Sequence, residues 1–304
     1  MATTTSINVS YVGNEAGEYF GIAFKNADSI SRGLVTLHEN VNAPVYLRKI
    51  DYTSGRQAYT CGWSPAGGVS LGEVKLEPTE IKNDIELCRD DFRTLWEQAQ
   101  MGASAWDYNF EDVDGTKALI SEILSTEMNA IDFNIWNGLT ASGGNFPGII
   151  PQLTATSSGA VKTTATSSIS YTNVIGELSK FLTSVPTAVK KTGKFMISPD
   201  IADALTNAQS AGQLTYGQQL TDTQFKWGRY LLEIVDNFPD RTMLFGDPKQ
   251  FNVGTGRLAD MTTLLIDSSS PERMKEGNAI IKMVYTAGTA VVRKNEVAIY
   301  SPSV

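Results

Sequence analysis

The sequence predicts an α+β chain organised around one long helix, and three features predict it. Apolar residues Ile120, Leu124, Met128, Ile131 and Ile135 recur at spacings of three or four, the period of a single helix face. Two strand-like runs, residues 45–52 and 72–77, flank a segment rich in turn residues, which is the pattern of a β-hairpin. From Phe195 onward, short apolar runs of strand character alternate with turn signals and short helical stretches.

Taken in chain order, residues 1–44 are polar, glycine-containing and weakly patterned, with β-like character at 7–12 and a turn of helix near 29–37. That composition reads as an N-terminal tail, because little apolar surface is available to offset the cost of ordering. In the hairpin, residues 45–52 run outward and 72–77 return. Residues 53–71 form a flexible tip holding Gly55, Gly62, Pro65, Gly67 and Gly68. Residues 78–87 read as a continuation of the return strand, and 88–100 as a short helix with Phe92, Leu95 and Trp96 on one face.

The long helix follows over 115–137, roughly 34 Å by its rise per residue. Asp114 can cap its start, and Asn137-Gly138 stops it, glycine being able to take a left-handed backbone at a helix C-terminus. Residues 139–150 (LTASGGNFPGII) read as a turn returning into an apolar strand.

Residues 153–170 carry the string TATSS twice, around a glycine-containing centre, and fit an exposed β-hairpin or a surface loop. A helix is expected over 171–185 from Val174, Leu178, Phe181 and Leu182, with Pro186 ending it. Residues 195–200 form an apolar strand running into a helix. The polar stretch 209–227 is either a projecting tip or a long connection. Strands are expected at 231–235 and on either side of the turn in 243–251, and two β-rich runs, 283–285 and 290–300, close the chain.

This order of elements resembles the major capsid proteins of tailed bacteriophages, the HK97-like fold. The residues that carry the resemblance are Ile135-Trp136-Asn137-Gly138 followed by Phe146-Pro147-Gly148-Ile149-Ile150, the family's spine-helix stop and return turn. Phe195-Met196-Ile197-Ser198-Pro199-Asp200 and the run from Met243 to Phe251 match its strand-then-helix and strand, G-D, strand units, so the resemblance covers about 45–300. It implies an N-terminal arm (1–44) that orders against neighbouring subunits, and an extended hairpin, the E-loop, with its return strand (45–88). A peripheral domain with the spine helix (89–150), an axial domain (151–260) and C-terminal peripheral strands (261–304) would follow.

The resemblance further implies self-assembly into hexamers and pentamers of an icosahedral head enclosing double-stranded DNA. Scaffolding and portal proteins, and a decoration protein, are the implied partners, in a virion assembled in the host bacterial cytoplasm. Within the hairpin, Arg48, Lys49, Trp63, Lys75 and Glu77 are the expected intersubunit contacts. Trp63 stands out because an exposed loop tip seldom carries tryptophan without a partner.

Composition narrows the remaining classes. The net charge of −8 arises within 61–114, where four basic residues face twelve acidic ones; 1–60 holds five of each and 115–304 sixteen of each. That stretch is either a solvated face or a surface that selects a register against a neighbour. No broad basic stripe exists, so tight DNA binding by the folded body is not expected. No apolar run approaches the length of a membrane span, and residues 1–10 lack an export signal, which argues for a protein kept in the cytoplasm. Cys61 and Cys88 form either a disulfide or a reduced pair.

The one histidine, His38, reads as a surface residue and excludes histidine-rich metal sites. Phosphate loops and G-x-S-x-G elbows are missing, and Gly254-Thr255-Gly256 lacks the rest of a nucleotide fingerprint. The pairs Asp90-Asp91 and Glu111-Asp112 read as solvated charges, and Trp96, Trp106, Trp136 and Trp227 as packing residues. No catalytic, metal or cofactor site is therefore expected, and no enzyme. Two alternatives remain: an encapsulin-type shell, disfavoured by the threonine-rich, β-like residues 1–10, and a monomeric α+β enzyme or binding module.

Overall fold

The computed structural model describes residues 8–12, 27–41, 43–59, 61–88, 114–139, 145–187, 189–213, 217–256, 263–267 and 278–303. A first sheet is centred on the fourteen-residue strand β14 (Asn278–Val291). One edge of β14 pairs with β5 (Thr79–Cys88); the other pairs with β13 (Thr263–Asp267) and then β12 (Phe251–Thr255), all antiparallel. β1 (Asn8–Val12) extends this sheet beside β13, and β2 (Thr36–His38) lies parallel to β12.

The second sheet has seven strands, in the order β6 (Val161–Thr164), β15 (Ala298–Ser301), β11 (Met243–Gly246), β7 (Lys194–Ile197), β10 (Tyr230–Ile234), β9 (Gln224–Trp227) and β8 (Gly217–Thr221). A separate two-stranded ribbon is formed by β3 (Val45–Thr53) and β4 (Gly68–Leu76).

Side-chain alternation explains why the second sheet reads as continuous apolar runs. Phe195, Ile197, Met243, Phe245, Ala298 and Tyr300 point to one face, where helices α4 (Val174–Ser184) and α5 (Pro199–Ser210) supply Leu178, Phe181, Ile201 and Leu205. Their neighbours Met196, Leu244 and Ile299 point to the opposite face. There they meet Ile135 and Trp136 of the long helix α2 (Asp114–Asn137), Ile149, Ile150 and Leu153 of α3 (Ile149–Thr154), and Val253 and Met283 of the first sheet. A sheet covered on both faces needs apolar residues at every position.

The long helix ends in a backbone junction. Gly148 N donates to Gly138 O at 2.7 Å. A Cβ on Gly138 would lie 2.1 Å from Phe146 O, and one on Gly148 would lie 2.5 Å from Gly138 N. Only glycine fits at either position. The reason is close approach rather than the expected left-handed backbone, since Gly138 is not among the positive-φ glycines. The return is helical where a strand was expected: Pro151 falls in the first turn of α3, where no amide donor is needed, and Ile149, Ile150 and Leu153 are buried on one side.

Other expectations change in detail. Residues 79–88 do not continue the hairpin; as β5 they pair with β14 over ten positions. The ribbon's return begins at Gly68, so the tip is shorter than 53–71. Residues 153–170 form no hairpin. Only β6 is extended there, parallel to β15, while Arg241 Nη1 takes the Thr166 and Ser167 carbonyls that a second strand would have used.

The runs 283–285 and 290–300 are not a strand pair: the first lies within β14, and the second crosses to β15 in the other sheet. The sheets do not divide at 260 either, for β12 belongs to the first and β15 to the second. Residues 217–227 are a strand pair, β8 and β9, rather than a long connection. The helix expected over 88–100 lies beyond Cys88 outside the described residues, as do Asp90-Asp91, Glu111-Asp112, Trp96 and Trp106.

The largest departure concerns residues 27–41. These were expected in an arm ordered by neighbours, yet Leu34 and Val35 are buried in this chain's own core. Ser29 N donates to Asp132 Oδ1 at 3.0 Å, and Trp136 Nε1 donates to Ser29 Oγ at 2.6 Å. Arg32, just after α1 (Asp28–Ser31), donates to Ile234 O at 2.7 Å, Thr223 O at 3.1 Å and Glu233 Oε2 at 2.7 Å. With β2 bound to β12, this short segment fastens the long helix and both sheets together. His38 is half-buried rather than on the surface. Because Asn252 Nδ2 donates to Gln250 O, its Oδ1 faces the ring, and His38 Nε2 donates to it at 2.7 Å.

Candidate assembly interface

The β3–β4 ribbon is where the sequence and the folded body part company. Nine pairs run from Val45↔Leu76 at its base to Thr53↔Gly68. Alternation gives it two faces. Leu47, Lys49, Asp51, Gly72 and Val74 are half-buried, and Leu76 is fully buried at the base, where a Cβ on Gly254 would meet its side chain at 3.0 Å. Arg293 Nη2 also holds the ribbon, donating to Ile50 O at 2.8 Å.

The other face is open along its length. It carries Tyr46, Arg48, Ile50 and Tyr52 opposite Lys75, Glu73, Leu71 and Val69. Tyr52 is 70% and Leu71 76% exposed. The half nearer the body is charged and the outer half apolar. At the tip, Tyr59 and Trp63 are 92% and 93% exposed. A two-stranded ribbon is marginal by itself in water, and large apolar side chains gathered on an exposed face mark a surface that meets a partner.

The predicted contact residues separate on this geometry. Arg48 and Lys75 lie on the open face, and Trp63 stands at the tip. Lys49 lies on the half-buried face, paired with Asp51 at 2.9 Å. Glu77 follows the end of β4 and pairs with Lys75 at 2.6 Å. The Glu77 carboxylate, through that hydrogen bond above all, raises the Lys75 ammonium above its ordinary range.

Sequence reading missed Tyr46, Ile50, Tyr52, Val69 and Leu71 as candidate interface residues. Their signal was present: even-numbered positions of β3 and odd-numbered positions of β4 carry the large side chains of one face. Cys61, also at the tip, is a free and exposed thiol. Among the described residues no helix is long and apolar enough to cross a membrane, and no group of three His, Cys, Asp or Glu could hold a metal ion.

No family model and no curated protein matches this sequence. Solved structures do match its fold. The capsid of a native GTA particle superposes with a TM-score of 0.58 at 11% identity, over 99% of this chain and 94% of that one. The satellite phage P4 procapsid, which includes the size determination protein, gives 0.57 at 11% identity over 94% and 98%. The capsid of cyanophage A-1(L) gives 0.56 at 8% identity over 90% and 92%. These are shell structures, and the chain shares their fold over nine-tenths or more of its length. It is the HK97-like capsid fold.

Proposed function

We propose that this chain is the major capsid protein of a tailed bacteriophage, assembling into hexamers and pentamers of an icosahedral head around double-stranded DNA. The observation that carries the reading is the ribbon. A chain with the capsid fold extends an ordered arm whose open face and tip hold exposed aromatic and aliphatic side chains. In a shell, identical neighbours cover that face, and repeated interfaces take the place of an active site.

In this reading the first sheet and the long helix form the peripheral domain, and the second sheet with α4 and α5 forms the axial domain. Arg48, Trp63 and Lys75 contact the next subunit, while Lys49 and Glu77 set the charge pattern beside them. The protein acts as structure rather than as an enzyme. Scaffolding, portal and decoration proteins are its further partners, and it resides in the virion after assembly in the bacterial cytoplasm. Its contact with packaged DNA is weak and non-specific, consistent with the net charge of −8.

Electron microscopy of the purified chain, and of particles from a phage lysate, tests this. Closed shells or rings of five and six copies, with double-stranded DNA inside the lysate particles, are expected. A monomer at every concentration, carrying a bound small ligand, would overturn it. Shells filled with an enzyme would reassign it to the encapsulin type.

A further inference from the structure

The balanced charge of residues 115–304, sixteen of each sign, hides a separation that the second sheet creates. β11, β7, β10 and β9 are neighbours, and their register sets the ends of β11 and β9 beside the starts of β7 and β10. At that edge stand Lys249 just beyond β11, Lys190 and Lys191 just before β7, Arg229 just before β10, and Lys226 in β9. Three strand spacings of about 4.8 Å give the row a width of roughly 14 Å. Lys190 is half-buried and the other four are exposed. The far ends of the same strands carry Asp222, Asp236 and Asp240 instead, all exposed.

These five cations have no carboxylate partner among the described residues. Lys49, Lys75, Lys82 and Lys180, by contrast, each pair with one. The carboxylates near the row are already engaged: Asp247 Oδ1 accepts Lys249 N at 3.0 Å, and Glu296 pairs with Arg293 at 2.9 Å. The turns that carry the row are also fixed. A Cβ on Gly193 would lie 2.5 Å from Phe245 Cε1, so the turn at Val189–Lys191 is drawn down onto the core. Gly228 joins β9 to β10 at a φ of 57°, a conformation suited to glycine. The Arg229 guanidinium lies 4.8 Å from the Tyr230 ring centre, and its Nη2 donates to Tyr230 Oη at 2.6 Å.

From this placement we infer that the edge formed by Lys190, Lys191, Lys226, Arg229 and Lys249 binds the phosphodiester backbone of double-stranded DNA. A duplex presents one negative charge per about 1.7 Å of its axis, so an edge of this width meets several phosphates at once. A second protein copy fits the edge less well. Leu231, 41% exposed, is the one large apolar side chain open there among the described residues, and protein interfaces are built round an apolar centre. The aspartates at the far ends repel the same backbone, which confines the contact to one side of the sheet. The inference rests on the capsid reading in taking packaged DNA as the polyanion, and it gives that weak contact a place. No base is read, because lysine and arginine neutralise phosphates whatever the sequence.

Anisotropy of a labelled duplex of roughly 30 base pairs, titrated with the full chain below the concentration at which shells form, tests the site. Binding is expected to weaken about a hundredfold between about 50 and 200 mM salt, the slope for about four phosphates. Lys191→Ala with Arg229→Ala should lower the affinity about tenfold or more at the lower salt. It should also reduce the log–log salt slope by about 2, equally for two unrelated sequences. Lys82→Ala with Lys180→Ala makes the same change in net charge on other elements and should shift the affinity less than about threefold. All four side chains are exposed, so both variants should melt with the wild type.

Equal losses in the two double variants, a slope that the first leaves unchanged, or no wild-type binding at the lower salt would overturn the site. So would a Lys191→Ala, Arg229→Ala chain that binds the duplex normally yet needs more protein to form shells, which would give this edge to a second copy. Wild-type chain that binds the duplex through this edge but never forms shells would overturn the capsid reading and leave the site standing.

Discussion

The second sheet and the β3–β4 ribbon use the same residue types and treat them in opposite ways. In the sheet, Phe195, Met196 and Ile197 are buried on alternate faces, between helices on one side and the first sheet on the other. In the ribbon, Tyr46, Ile50, Tyr52, Val69 and Leu71 share one exposed face that nothing among the described residues covers. Apolar burial on folding contributes about 25 cal/mol per Å². The sheet gains that stabilisation on folding, whereas the exposed ribbon face gains none within the folded chain. On the capsid reading proposed above, one chain separates residues that hold a subunit together from residues that would hold subunits to each other.

Two tryptophans set the contrast most sharply. Trp136 is fully buried, stacked edge-on against Phe238 with ring centroids 4.8 Å apart. Trp136→Ala should lower the stability of the isolated chain by about 3–5 kcal/mol, read by thermal or denaturant unfolding. Trp63→Ala should leave that stability within about 0.5 kcal/mol and act on assembly alone. Equal effects on folding would erase the distinction between the two regions.

Next in size is the Arg32–Glu233 pair, whose side chains are 16% and 6% exposed. Glu233→Gln leaves the guanidinium with only the more exposed Asp28 as anion, beside the Ile234 and Thr223 carbonyls, and should cost about 3 kcal/mol in urea unfolding. A double variant with Arg32→Met should cost less than the sum of the two single changes, since neither partner is then left uncompensated. Strict additivity would show that the pair does not act as a unit.

Gly138→Ala comes third. Its new methyl meets the Phe146 carbonyl, and the junction can yield only by displacing α3, for about 1–3 kcal/mol measured in the same way. Lys49→Ala is expected to be the smallest. Its partner Asp51 is 43% exposed, and such surface pairs contribute about 0–1 kcal/mol, so unfolding should hardly change. A large loss there would mean the ribbon is coupled to the body more strongly than its open face indicates.

How much of this could be read in the sequence follows from where the stabilising contacts lie. Local patterns mark α2, α4, α5, β3, β7, β10 and β11, because each is written in a run of its own residues. The segment 27–41 escaped, since its partners are Asp132, Thr223, Ile234 and Glu233, far along the chain. Nothing in Ser-Ile-Ser-Arg-Gly reveals a clasp.

The sequence reads β14 as separate runs because Ala287-Gly288-Thr289-Ala290 shows no alternation of large and small. Those small residues are there to admit the ribbon's base, for a Cβ on Gly288 would lie 2.6 Å from Glu77 O. Of the candidate interface, the hairpin and its exposed tryptophan were legible. The division into an open and a half-buried face was not, since it depends on which side the body occupies.

The position of β15 sets a schedule for making the protein. This strand follows every other described element in the chain, yet it sits inside the second sheet, flanked by β11 and β6, and β6 pairs with nothing else among the described residues. Until residues 298–301 emerge from the ribosome, both neighbours wait with unsatisfied edges. Long-range closures of this kind are slow and come late. The second sheet therefore cannot close from earlier-made residues alone, and on refolding the burial of its strands should lag the appearance of its helices.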